Sequence, residues 1–305
     1  MRIFVTGASG HIGSAVVPEL LAAGHQIVAL ARSDASAAAL AASGVDVHRG
    51  DLDDPEDLGK AAASADGVIH LAFKHDTMWA GDHVGAAEAD LRVIEAFGDA
   101  LAGTGKPLVT TSGTLMLALA GLGRTGTETD VPDSGIRVPA ENATIALAER
   151  GVRSSVLRLP PSVHSSLDTT GFVPTLIATA RARGVAAYVG DGSNRWPAVH
   201  TLDAARLYRL ALEAAPAGSR LHAAGDHGVP FREIAEVIGR HLDLPVTGIP
   251  PEEADAHFGF LGAFVQLDNP LSSTLTEKLL DWQPIHPGLI ADLEEGHYFT
   301  APATP

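Results

Sequence analysis

The 305-residue chain has no cysteine, only three tyrosines and three tryptophans, and 21 lysines and arginines against 37 aspartates and glutamates. Without cysteine there are no disulfides, no thiolate metal ligands and no cysteine nucleophile, a composition compatible with a reducing compartment. A formal charge of -16 at pH 7 repels nucleic acid and anionic membrane at long range, so neither is an expected partner. No run approaches the roughly 18 apolar residues of a membrane span. Met1-Arg2-Ile3 leads into an apolar segment without the layout of a secretory signal, and the expected location is the cytoplasm. The fourteen histidines are scattered without HExxH or similar spacing, and His222 and His227 flank Asp226 in a loop-like stretch. No metal is therefore expected. A GxSxG hydrolase elbow is also missing.

What is present is a hydrophobic content of 46%, enough for a substantial core. Short apolar runs alternate with alanine-rich helical stretches, predicting strands at 2–6, 26–31, 46–48, 67–72, 107–111 and 153–158. This is the pattern of an α/β, Rossmann-type, doubly wound parallel sheet. Beyond Pro160-Pro161 the alternation breaks up, and Phe172 to Ala182, Phe231 to Leu242 and Thr274 to Leu280 read as helices without matching strands. Val199-His200 and Arg220 to Ala224 read as short strands returning to the main sheet. The expected division is a dinucleotide-binding domain of residues 1–166 plus 199–228 and a smaller, discontinuous C-terminal substrate lobe of residues 167–198 plus 229–305. The tail from Thr300 is expected to be loose.

Thr6-Gly7-Ala8-Ser9-Gly10-His11-Ile12-Gly13 has three glycines in GxxGxxG spacing, between Ile3-Phe4-Val5 and a stretch whose Val16, Val17, Leu20 and Leu21 form a helical stripe. The first glycine makes a tight turn, the second lets backbone approach a pyrophosphate, and the third lets helix and strand pack closely. The helix N-terminus adds amide donors and partial positive charge. Ser9, His11 and Ile12 complete this cradle. At the end of the second strand a carboxylate would accept from an adenosine ribose 2′-hydroxyl, whereas an arginine meets a 2′-phosphate. Ala29-Leu30-Ala31-Arg32-Ser33 supplies Arg32, with Ser33 as a further donor, so NADP(H) is expected over NAD(H).

Together these motifs resemble the short-chain dehydrogenase/reductase superfamily, in its extended branch of epimerases, dehydratases and ketone reductases, along nearly the whole chain. Gly50-Asp51-Leu52 matches the GDL element, whose aspartate lies near adenine, and Val68-Ile69-His70-Leu71-Ala72, followed by Phe73, is similar to the VIHLA segment beside the cofactor. Leu157-Arg158-Leu159-Pro160 with Val163-His164 resembles LRxxxVYG, and Val199-His200 with Asp203-Ala204-Ala205 resembles VHVxDxA. The resemblance implies a substrate held between the Rossmann domain and the lobe, and a homodimer formed through the helices around residues 83–103 and 138–150.

Catalysis in that family uses a serine or threonine after the fifth strand, which bonds the carbonyl oxygen, and a tyrosine and lysine four residues apart on a following helix. Val109-Thr110-Thr111-Ser112-Gly113 matches the serine element, which implies Thr110 at the cofactor and Ser112 at the substrate. The tyrosine and lysine are missing. Aligning Ala140-Glu141 on the AE that follows YxxxK puts Asp133 at the tyrosine position and Arg137 at the lysine position, and none of Tyr188, Tyr208 and Tyr298 begins a YxxxK. Arg137 can still bond the ribose but does not readily release a proton, and Asp133 is a poor acid near neutrality unless burial raises its pKa. Candidates for the proton donor are Lys74, His75, Asp76, His164, Tyr188, His200 and water. His75 is the first choice, because imidazole titrates near working pH.

Three functions follow. The first is an NADPH-dependent oxidoreductase that reduces a carbonyl, or an imine, of a small or hydrophobic molecule with a nonstandard proton donor. The second is an NADP(H)-binding sensor or scaffold that transfers no hydride. The third is a sugar-nucleotide epimerase or dehydratase. For the third, the GxGxxxR turn of relatives is matched imperfectly, because Arg195 lies five residues before His200 rather than the usual four. The expected substrate-site residues are Ser112, Met116, His164 and Trp196, with Phe73, Met78, Trp79, Phe258 and Phe260 available for apolar contact.

Overall fold

A computed structural model of the chain describes residues 1–300; of the tail expected to be loose from Thr300, Thr300 itself ends a short helix and the rest lies outside the described residues. The first strand, β1 (Arg2–Thr6), buries Ile3, Phe4 and Val5 completely, as a central strand covered on both faces must. Helix α1 (Gly13–Ala22) turns Val16, Val17 and Leu20 to the sheet and leads to β2 (Gln26–Ala31). Helix α2 (Asp34–Ala42) starts at Ser33, whose reciprocal bonds with Ser36 form a capping box, and precedes β3 (Asp46–Arg49). Asp54 caps α3 (Pro55–Ser64), where proline opens the first turn and the missing N–H costs nothing. Then come β4 (Gly67–His70), the short α4 (His75–Trp79) and the long α5 (His83–Leu101), capped by Asp82. Next are β5 (Pro107–Gly113), α6 (Leu115–Leu119), α7 (Val138–Ala146) and β6 (Arg153–Leu159).

The remaining elements are β7 (Ser162–His164), α8 (Phe172–Arg183), β8 (Ala186–Val189), β9 (Arg195–His200), α9 (Thr201–Ala214), β10 (Ser219–His222) and β11 (Asp226–Pro230). They are followed by α10 (Phe231–Leu242), β12 (Val246–Ile249), α11 (Ala254–Phe258), α12 (Thr274–Leu280), α13 (Leu289–Glu294) and α14 (His297–Thr300). The seven-stranded sheet has the order β10-β6-β5-β4-β1-β2-β3, with every pair parallel. This is a doubly wound Rossmann sheet whose strand order reverses between β1 and β4. Helices α1, α2 and α9 cover one face, and α3, α5 and α7 the other.

The second half differs from its sequence reading in two respects. Arg220 does lie on a strand that returns to the main sheet, but Val199-His200 does not: β9 pairs with β7 and β11 in a separate three-stranded sheet. A two-stranded pair, β8 and β12, completes the lobe. Its core gathers Trp196, Phe231, Ile234 and Leu261, all essentially inaccessible. The end of α12 and the segment after it pack the other way, with Leu280 and Trp282 joining the Rossmann core and the Trp282 indole donating to the Asp203 carbonyl at 3.0 Å. Among the described residues no helix is long and apolar enough to cross a membrane.

Candidate dinucleotide site and catalytic edge

The glycine loop leaves β1 at the point where the strand order reverses. Gly7 has φ +71°, and a Cβ built on it would stand 2.7 Å from the Ala72 amide. A Cβ on Gly13 would stand 2.1 Å from the Gly7 carbonyl oxygen. The turn is held by the Gly10 amide donating to the Gly7 carbonyl at 3.0 Å. No side chain caps α1 at Ile12, and Ser9 and Gly10 are exposed, so the helix start is open to an anion. His11 bonds across to the lobe: its Nε2 is 2.8 Å from Thr201 Oγ1, and its Nδ1 is 3.6 Å from Asp168. Burial, then the nearby His164, lowers the His11 pKa to about 4, while burial raises Asp168 to about 6.

At the adenosine end, Arg32 is exposed and its only ion pair among the described residues is a 3.3 Å contact with the equally exposed Asp76, which contributes little. Arg49, which the sequence reading overlooked, closes the same corner: its guanidinium donates to the Ser33 carbonyl at 2.5 Å and to Asp34 at 2.9 Å. The Ser33 hydroxyl is already the cap of α2, sharing its bonds with Ser36. Asp51 sits after β3 with Oδ1 accepting from the Asp53 amide at 3.0 Å, and Leu52 is packed into the core beneath.

Beyond the carboxyl ends of β4 and β5, Arg137, Phe73 and His75 pack on one another, and Ser112 follows Thr111, the β5 residue whose carbonyl Arg137 holds. Arg137 donates to the Thr111 carbonyl at 2.5 Å, and its guanidinium carbon lies 4.1 Å from the centre of the Phe73 ring. His75 meets Phe73 edge-on at 5.2 Å and Trp79 at a tilt at 5.5 Å between ring centres, and the half-buried Leu71 and Ala72 precede them in the chain. Partial desolvation of the imidazole, then the Arg137 charge, holds the His75 pKa below its ordinary 6.5 against the opposing pull of Asp76 and Asp90. Three buried polar atoms at this edge have no hydrogen-bond partner among the described residues: Ser112 Oγ, Arg137 Nε and Asp90 Oδ2. Native proteins seldom leave such groups unpaired, so Ser112 Oγ and Arg137 Nε suit contact with a bound ligand, while Asp90 Oδ2 faces Arg137 Nη2 at 3.6 Å. The Ser112 hydroxyl lies close enough to the buried Glu141 to help hold it ionised, yet no atom completes a hydrogen bond. Burial pushes Glu141 up, but Arg158, bonding at 3.0 Å, and Arg220, at 2.9 Å, outweigh it and keep it below its usual range.

Several expected site residues lie elsewhere. Asp133 is exposed in the loop before α7, and Arg137 is the residue preceding that helix. Their spacing of four is therefore not a helical one: Gly135 adopts φ +137° and Pro139 falls in the first turn, so the helix starts too late to carry both. The Thr110 hydroxyl is engaged with Thr144 at 3.0 Å on the α7 side of the sheet, so its side chain is not a cofactor contact. His164 is fully buried with Nδ1 2.8 Å from Asp292, and Trp196 is fully buried against Phe231 at 4.9 Å. Neither can line an open substrate site. Met116 is buried with its sulfur beside Gly135, forming a wall under the loop that delivers Arg137.

Among the other proton-donor candidates, Lys74 is bound to Asp53 at 2.5 Å, Asp76 contacts Arg32, Tyr188 lies on a lobe strand facing Arg232, and His200 caps α9. His75 packs on Phe73, the ring over which the Arg137 guanidinium lies. One group of possible metal ligands, Asp292, Glu295 and His297, has donor atoms within 4.8 Å of one another, but Asp292 already accepts from His164. Asp90 and His70 at the catalytic edge were also overlooked in the sequence. A signal existed: Asp90 falls in the buried stripe of α5 formed by Ala86, Ala89, Val93, Ile94 and Phe97, where a carboxylate needs a partner.

A profile of NAD(P)H-binding domains matches residues 7–157. The chain is 50% identical over 301 residues to an uncharacterised protein of Schizosaccharomyces pombe, covering 98% of this chain and 100% of that protein. It is 30% identical to a 2-alkyl-3-oxoalkanoate reductase of Stenotrophomonas maltophilia, over 82% of this chain and 77% of the reductase. The chain belongs to the extended short-chain dehydrogenase/reductase family. Its fold is shared by the UDP-glucose 4-epimerase of Thermotoga maritima, with a TM-score of 0.77 and 19% identity over 98% of each chain. The family unites NAD(P)-binding oxidoreductases and epimerases, so the open helix start and glycine loop are those of a dinucleotide site.

Proposed function

We propose that this chain is an NADPH-dependent oxidoreductase that reduces a carbonyl, or an imine, on a small or apolar molecule. The observation that carries the reading is a pair of buried, unpaired polar atoms: Ser112 Oγ at the end of β5, and Nε of Arg137, whose guanidinium donates to the adjoining Thr111 carbonyl and lies over Phe73, the ring against which His75 packs. When bound, NADPH supplies the hydride that the carbonyl carbon accepts. Ser112 donates a hydrogen bond to the carbonyl oxygen, Arg137 places positive charge near the oxygen as it becomes anionic, and the His75 imidazolium gives that oxygen a proton. His75 is exposed, so water restores its proton. The exposed Trp79, Leu119, Val131 and Ile136 on the segments following β4 and β5 support an apolar substrate. The reductase from S. maltophilia supports the reaction class. Arg195 opposes the epimerase alternative, because it is bound at two points to Asp268, at 3.0 and 2.8 Å, and is not free to hold a diphosphate.

Two measurements test this reading. His75 is charged only below its lowered pKa, so kcat/KM for reduction should be highest in acid and fall as pH rises through a value below 6.5. His75→Ala should abolish that limb and lower kcat by about a hundredfold; a flat profile in the parent protein removes His75 as the acid. For cofactor choice, Arg32 and Arg49 flank the Ser33 corner where a 2′-phosphate would fit. Arg32→Glu should reduce the preference for NADPH over NADH by about tenfold to a hundredfold, the loss of one charge-assisted contact. An unchanged ratio of kcat/KM values for the two cofactors would show that Arg32 does not read the phosphate.

A further inference from the structure

Arg137 reaches the catalytic edge from outside its helix, on a long side chain, and a guanidinium there needs something to hold it. Behind it runs a chain of buried bonds in which each donor has one acceptor. The Ala72 amide donates to Thr6 Oγ1 at 3.2 Å, Thr6 Oγ1 lies 2.6 Å from His70 Nδ1, and His70 Nε2 lies 3.1 Å from Asp90 Oδ1. With Nε2 carrying the imidazole proton, Thr6 donates to His70 and His70 donates to Asp90. That leaves Asp90 Oδ2 turned to Arg137 Nη2 at 3.6 Å, without another partner. Asp90, His70 and Thr6 are all at most 2% exposed. The Ala72 amide that starts the chain is also the group against which Gly7 packs. The phosphate loop and Arg137 thus share one buried scaffold.

We infer that Asp90, anchored by His70 and Thr6, is a positioning residue that works as a pair with Arg137: it holds the guanidinium over Phe73 so that the unpaired Nε is presented to the nicotinamide half of the dinucleotide. The pair takes the place of the family's helical lysine. It requires an ionised Asp90, and although burial opposes the charge, Arg137 and then His70 outweigh it and lower the pKa. An unbalanced arginine in this setting would be costly to bury, and an unbalanced aspartate more so. The inference rests on the dinucleotide reading, but its test needs no turnover.

The test compares binding of NADPH with binding of adenosine 2′,5′-bisphosphate, which lacks the nicotinamide half, by titration calorimetry of the parent protein, Asp90→Asn, Arg137→Gln and the double variant. Each single change should weaken NADPH about tenfold, the loss of a charge-assisted bond, and leave the bisphosphate within about twofold. The double variant should bind NADPH within about twofold of Arg137→Gln, because residues acting as a pair are not additive. Effects that multiply, or parallel loss of bisphosphate binding, would overturn the pairing. If Asp90→Asn does not fold, His70→Gln replaces it, with weaker NADPH binding and intact bisphosphate binding expected; unchanged NADPH binding overturns the inference. A parent protein that binds neither NADPH nor NADH overturns the dinucleotide reading itself, a result visible before any variant is made.

Discussion

Replacing Gly13 with alanine should weaken NADPH binding by about a hundredfold, the largest loss expected from any single methyl group in this chain. The added Cβ would lie 2.1 Å from the Gly7 carbonyl oxygen and 2.7 Å from Ala8, and both are backbone, so no side chain can swing away to relieve the clash. Either the loop opens or α1 moves off it, and each spoils the cradle of amides at the helix start. Gly24→Ala makes the contrast: that Cβ would meet nothing within 4 Å, but φ is +81°, so the cost should fall on stability alone. Fluorescence titration with NADPH, alongside thermal unfolding, separates the two outcomes. Gly13→Ala with parental affinity would mean that the loop does not cradle the pyrophosphate.

Ser112→Ala should lower kcat by about a hundredfold while leaving NADPH affinity and thermal stability close to those of the parent protein. The separation follows from its surroundings. The Ser112 hydroxyl is buried and completes no hydrogen bond among the described residues, and the neighbouring Glu141 keeps its bonds to Arg158 and Arg220 when the hydroxyl is removed. Its position is nevertheless fixed, because Ser112 pairs in register with Arg158 on β6, which is clamped to Glu141. A group held rigidly but left unpaired is suited to donating to a substrate oxygen. Single-turnover hydride transfer reads this directly, and an unchanged rate would remove Ser112 from the mechanism.

Much of this molecule was legible in the residues. The strands of the first half announce themselves because apolar runs such as Ile3-Phe4-Val5 are buried on both faces, and the GxxGxxG spacing is tied to a strand before it and a helix after it. The second half was harder. Val199-His200 looks like any short apolar strand, and nothing local distinguishes pairing with β7 from pairing with the main sheet. Trp196 as an aromatic of the lobe, and His164 at the tyrosine position of the VYG element, point to substrate contacts, yet the tertiary packing buries both. The alignment that equated Asp133 and Arg137 with the YxxxK pair assumed a helix under both; Gly135 and Pro139 delay the helix, so Arg137 alone reaches the edge. Asp90 is invisible to motif reading because its role depends on an arginine 47 positions later that the fold, not the spacing, brings to 3.6 Å.

The central claim is that a family member without the tyrosine and lysine still transfers hydride, using Ser112, Arg137 and His75. The most direct test is to mix the protein with NADPH and follow the reduced nicotinamide absorbance as ketones, aldehydes and imines of graded apolarity are added. Consumption of NADPH with at least one apolar carbonyl or imine, slowed by Ser112→Ala, is the expected result. A protein that binds NADPH tightly and never consumes it, whatever is offered, contradicts the account and supports a sensor or scaffold in its place.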